Sequence, residues 1–321
     1  MARSAAVKKG KGATKYSVVI PVYNSERIVA DTVARTRAFF ESRKLRFELI
    51  LVNDGSLDGS WRVISGLARA DKRIKAINLL RNYGQHAANL CGFRHATGGW
   101  LVTMDDDLQN PPEEIVHLIG KAAEGHDLVL GRFRSKQHAS YRRLGSKFVN
   151  WLNGRIFPKP EGLVLSNFRL LHKDVVQRIC EYQSPFPYIP GLALMFSHSP
   201  ANVEVEHQPR RIGASSYGFV RIAKLVATLL FNYSSFPLRF VMGLGLLVSL
   251  VSFMLGVAVL IKGALYGSAV AGWTTLVVLL AFFNGMLMLM VGMIGEYTVR
   301  LLAQASGGSP YQVKELVDRG E

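Results

Sequence analysis

Short, almost wholly apolar runs recur through the first 131 residues, separated by stretches in which apolar positions fall three and four apart. Residues 16–22, 47–53, 74–79, 100–104 and 127–131 have the length and β-branched character of buried strands. Between them, 28–42, 60–69, 85–95 and 111–124 carry the helical period. Strands apolar on both faces, alternating with helices, predict an α/β domain on a parallel sheet covered on both sides. After Gly131 the pattern changes. Residues 141–157 read as a basic amphipathic helix, with Leu144, Phe148, Trp151, Leu152 and Ile156 on one face, and 207–217 read as a loop. Phe219, Ile222, Val226, Leu229 and Tyr233 then recur at helical spacing beside Arg221 and Lys224, the pattern of a helix lying in a membrane interface.

Two longer runs bear on the compartment. Residues 240–261 are 22 positions without a charge, and 273–295 are 23 whose most polar member is Asn284. At about 1.5 Å rise per residue, each crosses the roughly 30 Å hydrocarbon layer. Buried core helices are the alternative, but adjacent uncharged runs this long are rare in soluble domains. The connector 262–272 holds one charge, Lys262, whereas Arg221, Lys224, Arg239 and Arg300 flank the outer ends. The positive-inside rule then puts the α/β domain and both termini in the cytoplasm, on a multi-pass protein of the inner membrane. No apolar, cleavable segment follows the basic residues 1–15, so no signal peptide is expected. The expected organisation is a basic tail over 1–15, the α/β domain over 16–207, a loop and interfacial helix over 208–235, a transmembrane hairpin over 236–299 and a cytoplasmic tail over 300–321.

The 321 residues carry a formal charge of +16, unevenly spread. Residues 1–15 hold five Lys/Arg, 132–160 eight and 208–240 five, with no acid in any of these stretches. Such patches attract nucleic acid, anionic lipid or phosphorylated substrates, and composition does not choose among them. A hydrophobic content of 49% excludes a disordered chain. Cys91 and Cys180 make neither a disulfide framework nor a zinc pair and read as apolar thiols in a reducing compartment. His86, His172 and His207 have no metal-ligand spacing.

Polar residues cluster where the predicted strands end, which is where open parallel sheets bind ligands. Pro21, Tyr23 and Asn24 follow the first strand, Asn53 to Ser56 the second, and Asp105, Asp106 and Asp107 the fourth. GxGxxG and GxxxxGK[ST] are both absent, so phosphates need another partner. On an extended backbone Asp105 and Asp107 point the same way and suit a hard divalent cation; a solvated acidic turn is the alternative. Asp54, Asp58 and Gly59 start like a calcium loop, but Ser65 stands where that loop needs Glu. Asp54 is better placed to bind a base or ribose at the sheet edge.

SVVIPVYNSE, LVNDGSLDGS, LLRNYGQHAANLCGFRHATGG and MDDDLQNPPEEI together resemble family 2 glycosyltransferases with a GT-A fold. Within them, the chain is most similar to polyisoprenyl-phosphate glycosyltransferases, the group of the undecaprenyl-phosphate aminoarabinose and glucosyl transferases and dolichyl-phosphate mannose synthase. The resemblance implies a Rossmann-like GT-A domain with interfacial helices and a two-helix transmembrane hairpin. It implies transfer of one sugar, with inversion, from a nucleotide sugar (a UDP-sugar by preference) to a polyprenyl phosphate such as undecaprenyl phosphate, in cell-envelope glycan modification. It implies Pro21, Tyr23, Glu26 and Asp54 around the nucleotide, and Asp105 and Asp107 on Mg²⁺ or Mn²⁺, with Asp106 and Gln109 nearby. Asp107, Asn167 and Arg169 make up the implied catalytic group. Arg210, Gly213, Ser215 and Tyr217 match a loop closing over the diphosphate, and Arg132, Arg134 and Arg142 fall where the acceptor phosphate would be met.

Four positions depart from the pattern. Ser25 follows PVYN where Glu is usual, Asn53 replaces the first Asp of DDGS, Asn167 replaces an Asp often found before FRL, and Ser216 replaces the Lys of GxSKY. The third need not matter chemically. A phosphate monoester has a second pKa of about 6, so the acceptor is largely dianionic near neutrality and needs positioning more than a base. A processive polysaccharide synthase would need QxxRW, and none of Trp61, Trp100, Trp151 and Trp273 stands in that context. An inactive nucleotide-sugar-binding scaffold is at odds with intact Asp54, Asp105, Asp107 and Arg210. Nucleic acid is not expected as a partner, since no stacking platform accompanies the charge, and the basic stretches are assigned to anionic headgroups and the lipid phosphate. Gly243, Gly245, Gly256, Gly285, Gly292 and Gly295, with Asn284, permit close helix approach, and a homo-oligomer is expected.

Overall fold

The computed structural model describes residues 14–133, 152, 154–206, 272–305 and 309–319, with scattered positions between 208 and 265. The chain divides into two compact units, Met1–Ser216 with Ser309–Glu321, and Tyr217–Gly308.

The first unit is built on one sheet of eight strands. They are β1 (Lys15–Val22), β2 (Arg46–Asn53), β3 (Ile74–Leu79), β4 (Trp100–Thr103), β5 (Leu128–Phe133), β6 (Arg169–His172), β7 (Pro200–Val205) and β8 (Val313–Val317), in the order β7-β5-β6-β4-β1-β2-β3-β8. The helices are α1 (Val29–Ser42), α2 (Ser60–Ala70), α3 (Gln85–Arg94), α4 (Ile115–Ala123), α5 (Lys173–Glu181) and α6 (Ile189–Phe196), with a 3₁₀ turn at Pro112–Glu114 before α4. The five strands and four helices read from periodicity are therefore present within a few residues of their expected ends.

The expected parallel sheet is corrected to a mixed one. β4, β1, β2 and β3 run parallel, as helical crossovers require. β6 enters antiparallel between β4 and β5, and β8 lies antiparallel on β3. Both are too short for alternation to reveal, and both pair with strands distant in the chain. The segment expected as a tail, 300–321, thus contributes an edge strand. It is docked as well as paired: Tyr311 is buried, and Arg94 donates to its hydroxyl at 3.4 Å and lies 5.6 Å from the ring centroid.

Alternation along the central strands divides the core between the two faces. Val18, Ile20, Leu49 and Leu51 join one cluster with Val29, Val33, Ile64, Ile115 and Leu118 of α1, α2 and α4. Val19 and Ile50 face the other way and are as deeply buried. There α3 comes close: a Cβ on Gly92 would stand 2.3 Å from Val19 Cγ1, so only glycine fits. At the amino end of the sheet, buried Glu48 accepts from Lys15 Nζ (2.9 Å), Ser17 Oγ (2.6 Å) and Thr97 N (2.7 Å).

In the second unit, α7 (Trp273–Ala305) is one helix of 33 residues, longer than the expected run. Its segment Phe282–Val299 is long and apolar enough to cross a membrane. In the first run, the described positions, among them Phe240, Leu247, Val251 and Ile261, are helical. A Cβ on Gly245 would lie 2.5 Å from Met290 Cε, the Phe231 and Tyr297 rings are 6.0 Å apart, and Tyr297 Oη meets Ser234 O at 3.5 Å. Most of the basic helix expected at 141–157 lies outside the described residues, although 154–156 are helical and Leu152 and Phe157 are buried. Val226, Leu229 and Tyr233 of the expected interfacial helix are helical; Arg221 and Lys224 lie outside the described residues.

Candidate active site

The acidic triplet leaves β4 in a turn, not in the extended conformation expected for it, and Leu108 closes that turn with φ 58°. The turn folds Asp106 back toward β1, where its Oδ2 accepts from Tyr23 N at 3.3 Å. Asp107 Oδ1 accepts from Gln109 N at 3.1 Å. Burial, then the Asp107 and Asp106 charges, push the Asp105 carboxyl up to about 7, against the opposing pull of Gln85 and Arg169. Burial is also the main cause that raises Asp106 to about 6. Among the described residues no three His, Cys, Asp or Glu side chains form a metal cage. Carboxylates crowded until their pKa values rise still make an oxygen-rich site deficient in positive charge, which a hard divalent cation fits.

A chain of hydrogen bonds ties this turn to β6. Gln85 Nε2, at the start of α3, donates to Asp105 Oδ1 at 2.5 Å. Asn167 Nδ2 donates to Gln85 Oε1 at 3.2 Å, and Arg169 Nη2 donates to Asn167 Oδ1 at 3.3 Å. Arg169 Nε donates to Thr103 Oγ1 at 3.0 Å, which in turn donates to Asn167 O at 2.5 Å. Two amides therefore connect a buried carboxylate to a fully buried guanidinium. Among the described residues Arg169 Nη1 has no hydrogen-bond partner, and desolvation lowers the group to about 10 despite the Tyr188 and Asp105 charges. His86 lies beside this cation, and burial and Arg169 hold it down at about 4, a neutral imidazole.

Beyond the turn, a pocket of ≈ 540 Å³ opens at the ends of β1, β2 and β3. Tyr23, Trp61, Arg81 and the amides Asn53 and Asn78 line it, together with Lys314 of β8. Gly55 has φ 65°, and a Cβ there would stand 2.4 Å from Asn82 N, so glycine lets the loops after β2 and β3 press together. Asp54 locks the same junction. Its buried carboxylate accepts from Tyr83 N at 2.7 Å and Gly84 N at 2.9 Å, and burial still raises its pKa against those bonds.

The expected residues are thus partly assembled. Asp105, Asn167 and Arg169 are joined through Gln85, Asp106 meets Tyr23 and Asp107 meets Gln109 in the same turn, while Pro21 stands on β1 opposite Val52 of β2. Glu26 turns away toward α2, where it accepts from Gly59 N and Arg62 Nη2. Arg132 is exposed on β5, opposite Glu204 of β7. Arg134, Arg142, Arg210, Ser215 and Tyr217 lie outside the described residues. Sequence reading missed Gln85, Thr103, Arg81, Asn78 and Lys314. Gln85 and Arg81 at least stand inside LLRNYGQH, a block that carried the resemblance.

The chain is a glycosyltransferase, built on an α/β fold with a mixed sheet. Residues 17–179 match the family described as Glycosyl transferase family 2, and the chain belongs to that family, as its motifs led one to expect. Over 306 residues, covering 94% of each chain, it is 33% identical to undecaprenyl-phosphate 4-deoxy-4-formamido-L-arabinose transferase of Proteus mirabilis (strain HI4320). It is also 33% identical over 308 residues to the protein of that name from Shewanella sediminis (strain HAW-EB3), covering 94% of this chain and 92% of that one. Among solved structures it is similar to glucosyl-3-phosphoglycerate synthase from Mycobacterium tuberculosis in complex with Mn²⁺, UDP-glucose and phosphoglyceric acid. That match has a TM-score of 0.49 and 18% identity, over 68% of this chain and 79% of the other.

Proposed function

We propose that this glycosyltransferase moves one sugar, with inversion, from a nucleotide sugar to a polyprenyl phosphate held in the inner membrane. The observation that carries the reading is the extent of the likeness to the two undecaprenyl-phosphate transferases, which runs through 94% of this chain and so takes in the apolar helices as well as the sheet. In this reading the nucleotide occupies the pocket beside Tyr23 and Trp61, and its diphosphate lies over the acidic turn. Asp105 and Asp107 would hold Mg²⁺ or Mn²⁺, which when bound screens the leaving diphosphate. Gln85 fixes the Asp105 carboxylate, and the Arg169 charge reaches it through Asn167. The acceptor phosphate is already largely dianionic at neutral pH, so Asn167 orients and no base is needed.

Two features support a hairpin anchor. Gly245 meets Met290 and Phe231 meets Tyr297, the pairing of two antiparallel helices. β8 returns the chain to the unit it left, which supports an even number of bilayer crossings within residues 217–308. With Lys262 alone in the connector, the positive-inside rule keeps the sheet and both termini cytoplasmic. Gly245 is thereby used within one chain, and a homo-oligomer rests on the remaining glycines.

The test is incubation of the purified full chain with undecaprenyl phosphate and a panel of radiolabelled nucleotide sugars, with and without EDTA. A lipid product carrying a single sugar, lost in EDTA, is expected. No lipid-linked label from any donor, or a polymer on the lipid, overturns the reading; full activity in EDTA overturns the metal.

A further inference from the structure

The strand that follows the apolar helices carries a bulge. Asn78 pairs with Glu315 and Leu79 with Val313, which leaves Lys314 with no residue opposite it on β3. A bulge takes its extra residue out of the ladder and re-aims the side chain, a device found beside active sites. Here the re-aimed residue lines the pocket at the ends of β1, β2 and β3. Its backbone is held on both sides of the bulge: Leu80 N donates to Gln312 O at 2.9 Å, and Val317 packs against the core cluster.

Position in the sheet indicates what the ammonium can reach. Lys314 stands on β8 and the acidic turn follows β4, four strands apart, or roughly 19 Å at about 4.8 Å per strand. A diphosphate over Asp105 and Asp107 is out of its range. The far end of a nucleoside whose phosphates lie there is within it. The nearby floor is amide, since Asn53 Nδ2 donates to Asn78 Oδ1 at 2.8 Å, and Arg81, the other cation lining the pocket, lies over the Tyr83 ring at 5.1 Å; a polar amide floor suits a base edge. Resting on the donor-site reading above, we propose that Lys314 is a specificity residue whose ammonium donates to a carbonyl oxygen of the donor's base. Uracil, cytosine and guanine present such an oxygen; adenine presents none.

Titration of the full chain in detergent with UDP, CDP, GDP and ADP, each with Mn²⁺, tests this. Lys314→Met is expected to weaken UDP about tenfold or more, the loss of one hydrogen bond to a charged group, and to leave ADP unchanged. Lys314→Arg keeps the donor and is expected to recover most of the loss. Equal weakening of UDP and ADP would make Lys314 a phosphate contact and overturn the assignment, as would no recovery with arginine. If the wild-type chain binds none of UDP, CDP, GDP and ADP, the donor-site reading itself fails, and Lys314 with it; if it binds CDP or GDP in place of UDP, that nucleotide takes the place of UDP in the comparison. Unchanged UDP binding by Lys314→Met, with wild-type binding intact, removes only Lys314.

Discussion

Arg169 is the most costly residue in the site, a fully buried cation connected to Asp105 only through two amides. Burying a charge without a direct partner costs several kcal/mol, so such a group is kept for function at the expense of stability. Arg169→Met keeps most of the volume and removes the charge. Its Tm is expected to equal or exceed that of the wild type while activity falls about 10³-fold, the scale of losing a preorganised electrostatic contact. A lower Tm with near-normal turnover would make Arg169 a structural residue. Asn167→Ala should cost only about tenfold, because it breaks hydrogen bonds and leaves the charge in place. Asp105→Ala and Asp107→Ala should each abolish turnover without unfolding, with kcat and circular dichroism as the paired readouts. Asn167 was visible in the sequence as a departure from the family pattern. Its link to Gln85 was not, because 82 residues separate them.

At the scale of elements, Glu48 shows how one buried side chain joins three parts of the fold. It binds β1 through Lys15 and Ser17 and the loop before β4 through Thr97. Burial alone would raise its pKa, but the hydrogen bonds from Ser17, Lys15 and Thr97 outweigh it and the net shift is downward. A carboxylate with a lowered folded-state pKa contributes stability that is complete above its unfolded value and fades as pH falls through the folded one. Glu48→Ala is expected to cost about 2–3 kcal/mol in urea denaturation at neutral pH. That gap should close in acid, below the ordinary glutamate range; an equal gap at every pH would show that packing, not charge, carries the effect. β1 and β2, which this network joins, were legible because VVIPV and LILV are unbroken apolar stretches within them. β6 and β7 were not legible: RLLH is four residues long, and PANVEV is only partly buried.

For the molecule as a whole, the return of β8 to the sheet constrains topology more tightly than hydropathy does. Reporters placed at residues 1 and 321 are expected on one face of sealed vesicles, and a cysteine at Ser268 should be labelled from the other. Termini on opposite faces would mean an odd number of crossings and would contradict the pairing of β3 with β8. The same geometry makes the last residues part of the enzyme. Removing 309–321 strips the edge of β3 and the Tyr311 contact with Arg94, and donor binding is expected to fall further than with Lys314→Met alone.

Local pattern sufficed for the central strands, the helices that cover them, the acidic turn's place after β4 and the long apolar runs. Burial at those positions depends on residue type and spacing along the chain, which any single sequence displays. Tertiary structure alone decided that β6 would slip antiparallel between β4 and β5, that the last strand would come back to β3, and that Glu26 would bind Gly59 and Arg62. It also decided that Gln85, Asn167 and Arg169 would stand in line behind Asp105, and that a bulge would point Lys314 into the pocket. Each of these depends on which distant partner satisfies a backbone edge or a buried polar group, and no periodicity records that choice.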